Sequence, residues 1–349
     1  MKTLQAFQRN PPQIPTTTVW LLSDLAEYRG KQELFSRQSP QKLEMLREHA
    51  LIESAISSNR IEGIEIAGNR VGTVVFGEGL LHDRNEEEVR GYQKALGWIH
   101  GNWERIPYSV ETILNLHALS LPDIWDSGKF KQDDGEIIEK HADGRVTLRF
   151  KPLSASETPA AMKQIEVGTE FLLRNKEVPP LLVWAAQNLD FLCVHPFRDG
   201  NGRVSRLLLL LMLYHLGFTA GRYISLERII EQSKERYYET LKISSQSWHE
   251  GKHNPWPYIN YLLYSLKALY QEFEDRFEHG SITVGEKTDA IRRAILGSQA
   301  PFHILELHRQ CPKASLDLIR KVLKDMKKEQ VIECIGRGKY AKWRLIDNR

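Results

Sequence analysis

Two apolar stretches with a short polar stretch between them constrain this chain more than any other feature. LLVWAAQNLDFLCV, residues 181–194, is apolar nearly all round, which predicts a helix buried on every side in a helical core. Leu207 to Leu213 is a second unbroken apolar run, far short of the ~18 residues of a membrane span. The two are joined by His195 to Arg206, HPFRDGNGRVSR. A polar loop feeding an apolar helix is a layout for an anion. N–H groups at a helix N-terminus have no partner within the helix, and the helix dipole favours negative charge there. Gly200 and Gly202 let the backbone approach a ligand closely. Arg203 and Arg206 can fork onto phosphate oxygens. His195 supplies a base, and Asp199 a hard oxygen ligand suited to magnesium. An isolated DGNG string is most often a tight turn. Here it lies in one junction with a histidine before it and two arginines after it, and that favours a site.

The surrounding chain sets the context. At 349 residues it exceeds one average domain, so two or three are expected. With 41% hydrophobic and 27% charged residues it can build an ordinary globular core. The net charge of +3 implies no partner, but it is uneven: Pro312 to Arg349 holds eleven Lys/Arg against five Asp/Glu. Cys193, Cys311 and Cys334 stand far apart with no C-x-x-C, which supports neither a zinc ribbon nor a disulfide framework. MKTLQAFQRNPPQIP has no apolar signal core. The expected location is the cytoplasm, with no membrane partner.

Read in order, residues 1–18 are expected to be extended, with a helix starting near Trp20. Ser39 as cap and Pro40 as first residue open a helix that stops at Gly63. Asn85 is the expected cap of a helix over 85–103. Another helix runs from Ser109 to before Pro122. Between Ser127 and Pro152 the period changes to two, and Ala142-Asp143-Gly144 marks the turn of a β-hairpin. A helix from Thr158 should turn Met162, Ile165, Phe171 and Leu172 inward. After the 181–194 helix come helices over 205–216 and 226–247. The latter carries Tyr237, Leu241 and Ser245 on one stripe. A helix then runs from Trp256 to about His279. Residues 278–287 read as a linker. Helices at 288–297, 302–309 and 315–328 and a hairpin turning at Gly336-Arg337-Gly338 have the order of a winged helix-turn-helix. On the 315–328 wheel Leu316, Ile319, Leu323 and Met326 face one way. Arg320, Lys321, Lys324, Lys327 and Lys328 face the other and, with Arg337 and Lys339, would suit DNA phosphates.

No P-loop, no Rossmann glycine pattern and no H-E-x-x-H occurs. The residue types in the junction fit magnesium-dependent transfer from a nucleotide onto a hydroxyl. By themselves they do not separate nucleotidyl from phosphoryl transfer. The stretch also fills every position of H-x-F-x-D/E-G-N-G-R-x-x-R, and so resembles the signature of the Fic family. Ser58-Asn59-Arg60-Ile61-Glu62-Gly63 is similar to that family's inhibitory motif, S/T-x-x-x-E-G/N. The resemblance covers roughly residues 20–280. It implies a mainly α fold, a Fic-type helical bundle with a β-hairpin flap, to which the winged helix is added at the C-terminus. It divides the chain into an N-terminal helical region with the inhibitory motif (1–104), a catalytic core (105–280) and the winged helix (281–349).

The activity it implies is transfer of AMP from ATP to a Ser, Thr or Tyr hydroxyl of a target protein. His195 would be the general base and Phe197 the anchor of the loop. Asp199 would bind Mg2+. Gly200, Asn201 and Gly202 would hold the α-phosphate, and Arg203 and Arg206 the β- and γ-phosphates. Tyr237 and Leu241, and more weakly Ser245, would line the base pocket. Ser58 and Glu62 would be inhibitory, Glu62 pairing with Arg206 and misplacing the γ-phosphate. In some relatives the same Glu supports removal of AMP, and the sequence admits that here. The target would lie along the hairpin at 130–150 by strand addition. Self-modification, a homodimer and DNA held by 312–349 are further partner expectations. The competing class is a DNA-binding transcriptional regulator, or an interaction scaffold, whose Fic domain is incidental or senses ATP.

Overall fold

A computed structural model of the chain describes residues 1–38, 40–77, 80–140, 145–278, 288, 291–292, 294–296, 301–311, 314–336 and 341–346. They form two compact units, Met1–Ala67 with Thr73–Glu274, and Gly68–Gly72 with Asp275–Arg349.

The first residues are helical where an extended segment was expected. α1 (Lys2–Arg9) and α2 (Thr16–Gln38) are both helices. α1 has no local side-chain cap. Its opening amides are satisfied instead by Asp190, 187 positions further on. Thr3 N and Leu4 N donate to Asp190 Oδ1 and Oδ2, each at 3.0 Å, and the Thr3 hydroxyl donates to Oδ1 at 2.8 Å. No local pattern can reveal a cap from so far away.

α3 (Pro40–Ile61) follows; its expected cap, Ser39, lies outside the described residues. Gly63 stops it as expected, at φ +81°, with Ile64 N donating to Asn59 O, a backbone geometry in which glycine has no Cβ to clash. After α4 (Val71–Phe76), α5 (Arg84–Asn102) is capped by Asp83 rather than Asn85. Asp83 accepts from Glu86 N, while the Asn85 amide donates to Glu65 O. Val89, Tyr92, Ala95, Leu96 and Ile99 are buried on one face of α5. α6 (Val110–Ser120) starts at Ser109, whose hydroxyl accepts from Thr112 N.

The hairpin is present. β1 (Ile137–Lys140) pairs antiparallel with β2 (Val146–Phe150), with a register shift between Ile137 and Ile138. Its turn residues Ala142, Asp143 and Gly144 lie outside the described residues. In α7 (Thr158–Asn175) Met162, Ile165 and Leu172 are buried, but Phe171 is 45% exposed. Phe171 follows Met162 by nine positions, which at 3.6 residues per turn is the opposite side of the helix.

α8 (Pro180–Val194) and α9 (Asn201–His215) form the core of the first unit. Residues Leu181–Val194 and Val204–Tyr214 are buried throughout. Their polar groups are paired: Trp184 Nε1 donates to Leu209 O, Asn188 Nδ2 to Ser205 O, and Tyr258 OH to Asn188 Oδ1. α9 begins at Asn201 rather than 205, so the second half of the polar stretch is already helical. The expected 226–247 helix is two, α10 (Leu226–Gln232) and α11 (Lys234–Ser245). They break at Ser233, whose hydroxyl donates to Ile229 O and meets Tyr261 OH, the kind of side-chain competition that interrupts a helix. α12 (Trp256–Glu278) completes the helical set.

The second unit contains β3 (Phe302–His303), α13 (Ile304–Gln310), α14 (Leu316–Lys328), β4 (Ile332–Ile335) and β5 (Lys342–Leu345). Its strands form one antiparallel sheet in the order β3-β5-β4. Ile319, Val322, Leu323 and Met326 of α14 pack with Phe302, Leu307 and Ile332. Arg320, Lys321, Lys324, Lys327 and Lys328 are exposed. The linker residues 279–287 and Arg337, Gly338 and Lys339 lie outside the described residues. No helix among the described residues is long and apolar enough to cross a membrane.

Asp190 is fully buried and also accepts from Trp248 Nε1 at 2.7 Å. Asp190→Ala strands four buried donors, so it should destabilise the first unit by about 3 kcal/mol or more. Urea unfolding at neutral pH measures this; a change below ~0.5 kcal/mol would mean that the bonds are dispensable.

Candidate functional site

The polar stretch is held at both ends. α8 closes with His195 in the left-handed region, φ +51°, its N–H donating to Phe191 O at 2.9 Å. A non-glycine residue there costs energy and persists only where its surroundings fix it. They do so here. Asn201 reaches back to Phe197, its Oδ1 accepting from Phe197 N at 2.9 Å and its Nδ2 donating to Phe197 O at 2.7 Å. Phe197 is buried and stacks on His117, ring centroids 3.8 Å apart. Gly200, at φ +80°, precedes the first turn of α9, and a Cβ there would lie 2.4 Å from Leu121 Cδ1. The loop is thereby locked against α6 and α8, and the free amides of α9 start at a defined place.

The two arginines of the stretch are both buried and differently engaged. Arg203 donates through Nη1 to Glu88 Oε2 and through Nη2 to Asp199 Oδ1, the latter at 3.3 Å. Arg206 donates through Nε to Ser58 Oγ at 2.9 Å, and through Nη2 to Ser58 O at 2.9 Å and Glu62 Oε1 at 2.7 Å. Burial disfavours the charge on Arg206, but the Glu62 carboxylate together with Tyr237 and Tyr92 outweighs it, so its pKa lies above the usual guanidinium range. Ser58 and Glu62 thus both sit on Arg206. Nη1 of Arg206 and Nε of Arg203 are buried with no hydrogen-bond partner among the described residues, so each keeps a donor for an anion.

Glu62 also occupies the space beside Gly202. A Cβ on Gly202 would fall 2.2 Å from Glu62 Oε1. His195, Gly202 and Glu62 open onto one cavity of about 300 Å3, with Tyr237, Leu241 and Ser245 on its α11 side and Ile137 and Phe150 on its hairpin side. That volume is at the small end of the ~300–1,000 Å3 of small-molecule sites. The cavity therefore brings the expected base, Gly202, the expected pocket residues, the hairpin and the Glu62 carboxylate together, while Gly200, Asn201, Arg203 and Arg206 do not line it.

Asp199 stands apart from this cavity. Its Oδ1 accepts from Gly200 N at 2.6 Å, and its Oδ2 from Arg84 Nη2 at 3.1 Å. No group of three or more His, Cys, Asp or Glu among the described residues could hold a metal. A single partly exposed carboxylate beside an anion site suits magnesium, which commonly takes one or two carboxylates and completes its shell with water and substrate phosphates. Asp199 fits that ion in chemistry, and Arg84 would have to release it.

Several participants escaped the sequence reading. Glu88 pairs with both Arg203 and Arg84. Arg149 and Tyr238 line the cavity, the guanidinium lying 5.1 Å from the ring centre. Lys131, just before the hairpin, is buried and reaches α8. Arg149 and Lys131 carry no periodic or motif signal, whereas Tyr238 stands beside Tyr237 in the Y-Y-x-x-L run over 237–241.

Residues 107–213, which include the whole polar stretch, match the model of the Fic/DOC family. The chain is 28% identical over 160 residues to the ribonucleoside-diphosphate reductase small chain of Ostreid herpesvirus 1, covering 40% of this chain and 25% of that protein. It is 24% identical over 164 residues to the protein adenylyltransferase Fic of Drosophila willistoni, covering 46% of this chain and 29% of that one. The match thus spans only a quarter to three-tenths of the length of these curated relatives. A solved Fic family protein from Desulfovibrio desulfuricans G20 superposes with a TM-score of 0.63 at 21% identity, covering 97% of this chain and 98% of its own. At that identity the likeness is one of fold.

Burial first, and then the Lys131 ammonium, push the His195 imidazole down to about 4. Both oppose the charged form, so the ring is neutral, and a base, at pH 7. An NMR titration of the His195 ring in the free protein should show a midpoint well below 6.5. A midpoint at or above 6.5 would contradict this electrostatic picture.

Proposed function

We propose that this chain, a member of the Fic/DOC family, transfers AMP from ATP to a Ser, Thr or Tyr hydroxyl of a target protein and is held back by Glu62. The observation that carries the reading is the shared cavity: His195, Gly202, on which a Cβ would meet Glu62, and the Glu62 carboxylate itself, bound to Arg206. The family match and the adenylyltransferase relatives support the chemistry at the level of the family.

In this reading the adenine enters between Tyr237, Leu241 and the hairpin. The N-terminal amides of α9 meet the α-phosphate. Arg203 and Arg206 meet the outer phosphates with their unpaired donors. The target adds to the hairpin, whose Ile138, Val146 and Leu148 are exposed. His195 takes the proton of the acceptor hydroxyl while its oxygen bonds to the α-phosphorus, and the bond to the bridging oxygen breaks to release pyrophosphate. Asp199 would hold the magnesium ion, which would supply charge neutralisation on the phosphates. Glu62 competes with the γ-phosphate for Arg206, so displacing it releases the enzyme. Removal of AMP with the help of the same carboxylate is compatible with this arrangement.

Labelled ATP with a host lysate tests both roles. Glu62→Gly should raise AMP incorporation by ~5–150-fold, the range of a typical coupling energy. His195→Ala in that background should lower it by ~10²–10⁴-fold, as for loss of a general base. Equal incorporation with and without His195 would overturn the assignment of the base. An unchanged rate in Glu62→Gly, with ATP still bound, would remove the restraint.

A second reading is favoured by α14, whose five cations face outward: the second unit is a winged helix-turn-helix that holds DNA. Duplex DNA should then bind more weakly as salt rises, with a slope that falls by about one per phosphate-contacting Lys removed. No binding at low salt would leave the basic face a solvated surface.

A further inference from the structure

The carbonyls of the two residues next to His195, Val194 and Pro196, are both held by one residue. Lys131 Nζ donates to Val194 O at 3.0 Å, and Lys131 N donates to Pro196 O at 2.9 Å. Lys131 is itself only 7% exposed. Val194 O is one of the last carbonyls of α8, which the helix cannot satisfy, and the negative end of the helix dipole attracts an ammonium there. His195 lies between these two anchors with φ at +51°. Neither the backbone after it, which is proline, nor a glycine supplies that conformation. The clamp does.

We infer that Lys131 is a positioning residue for the transfer reaction: its ammonium holds the peptide unit before His195, its amide holds the carbonyl of Pro196 after it, and together they aim the imidazole into the cavity. The inference rests on His195 being the general base. Lys131 also acts through charge. After burial, it is the charge that lowers the proton affinity of the ring, against Glu62 at the end of α3 and Asp199 in the same loop, which raise it. Arg206 of α9 is committed to Ser58 and Glu62, and Arg149 of β2 to Tyr238 O at 3.0 Å. Lys131 is held down to about 8, by burial before all else, with Asp134 pulling it up. It is therefore still largely charged at pH 7, where it can perform both tasks.

The test uses the Glu62→Gly protein as parent and compares Lys131→Met with Lys131→Arg. Met is close to Lys in length and leaves no hole, but it has neither charge nor donor. The expected result for Lys131→Met is a kcat lower by ~10²-fold, as for a reacting group displaced by about 1 Å, with KM for ATP unchanged. The His195 NMR midpoint should rise towards 6.5, and the acid limb of kcat/KM should rise with it. Lys131→Arg restores a charged donor and should recover most of kcat and the low midpoint. The NMR arm needs no turnover, so it decides the role of Lys131 even if AMP transfer itself fails. If Lys131→Met leaves both kcat and the ring midpoint unmoved, Lys131 does not position His195. Should that variant not fold, Lys131→Arg decides alone: a ~10²-fold loss of kcat in a folded protein that retains the charge overturns the inference.

Discussion

A buried guanidinium must be paired, and Arg206 finds its partners at the end of another helix. It is fully buried on α9 and binds the Ser58 carbonyl, the Ser58 hydroxyl and the Glu62 carboxylate. Leaving such a charge unpaired would cost several kcal/mol. The last turn of α3 is therefore fixed against the first turns of α9, and Glu62 reaches the cavity. The same bonds that satisfy the fold put a carboxylate where an anionic ligand would bind. In the proposed function, stability and restraint come from one interaction, and only a ligand with comparable negative charge replaces Glu62 without stranding Arg206.

The remainder of the first unit keeps that junction rigid. α8 and α9 supply an apolar core, and the loop between them is closed on itself by Asn201 and stacked through Phe197 on His117. Arg203 is tied to Glu88 of α5. Asp190 links α8 to α1 and to Trp248. The loop has little freedom, so the amides of α9 and the His195 ring keep their places while the hairpin and Glu62 border the space between them.

Much of this was legible in the sequence because it depends on local pattern. Continuous apolarity marked α8 and α9, period two marked the hairpin, and Ser109 and Gly63 marked helix ends. The expected cavity residues Tyr237, Leu241 and Ser245 came from the resemblance to a family, and they share a cavity with His195. The misreadings have distant or competing causes. α1 is capped by Asp190 from 187 positions away. The cap of α5 passed to Asp83 because Asn85 bonds to Glu65. The split at Ser233 is set by side-chain bonding within and beyond its own helix. Lys131, Glu88 and Arg84 act through contacts between elements, which no single-sequence period encodes.

In the proposed function, Glu62 and the outer phosphates of ATP compete for Arg206. Crystal structures of the parent and of Glu62→Gly, each with magnesium and a non-hydrolysable ATP analogue, address it directly. In Glu62→Gly the γ-phosphate should lie within hydrogen-bond distance of the Arg206 guanidinium, with the α-phosphate on the first amides of α9. In the parent, Arg206 should remain on Glu62 and the γ-phosphate should be displaced. An analogue that binds Glu62→Gly with its phosphates away from Arg206, or a complex of the unsubstituted protein with Glu62 and the γ-phosphate both on Arg206, would rule this competition out.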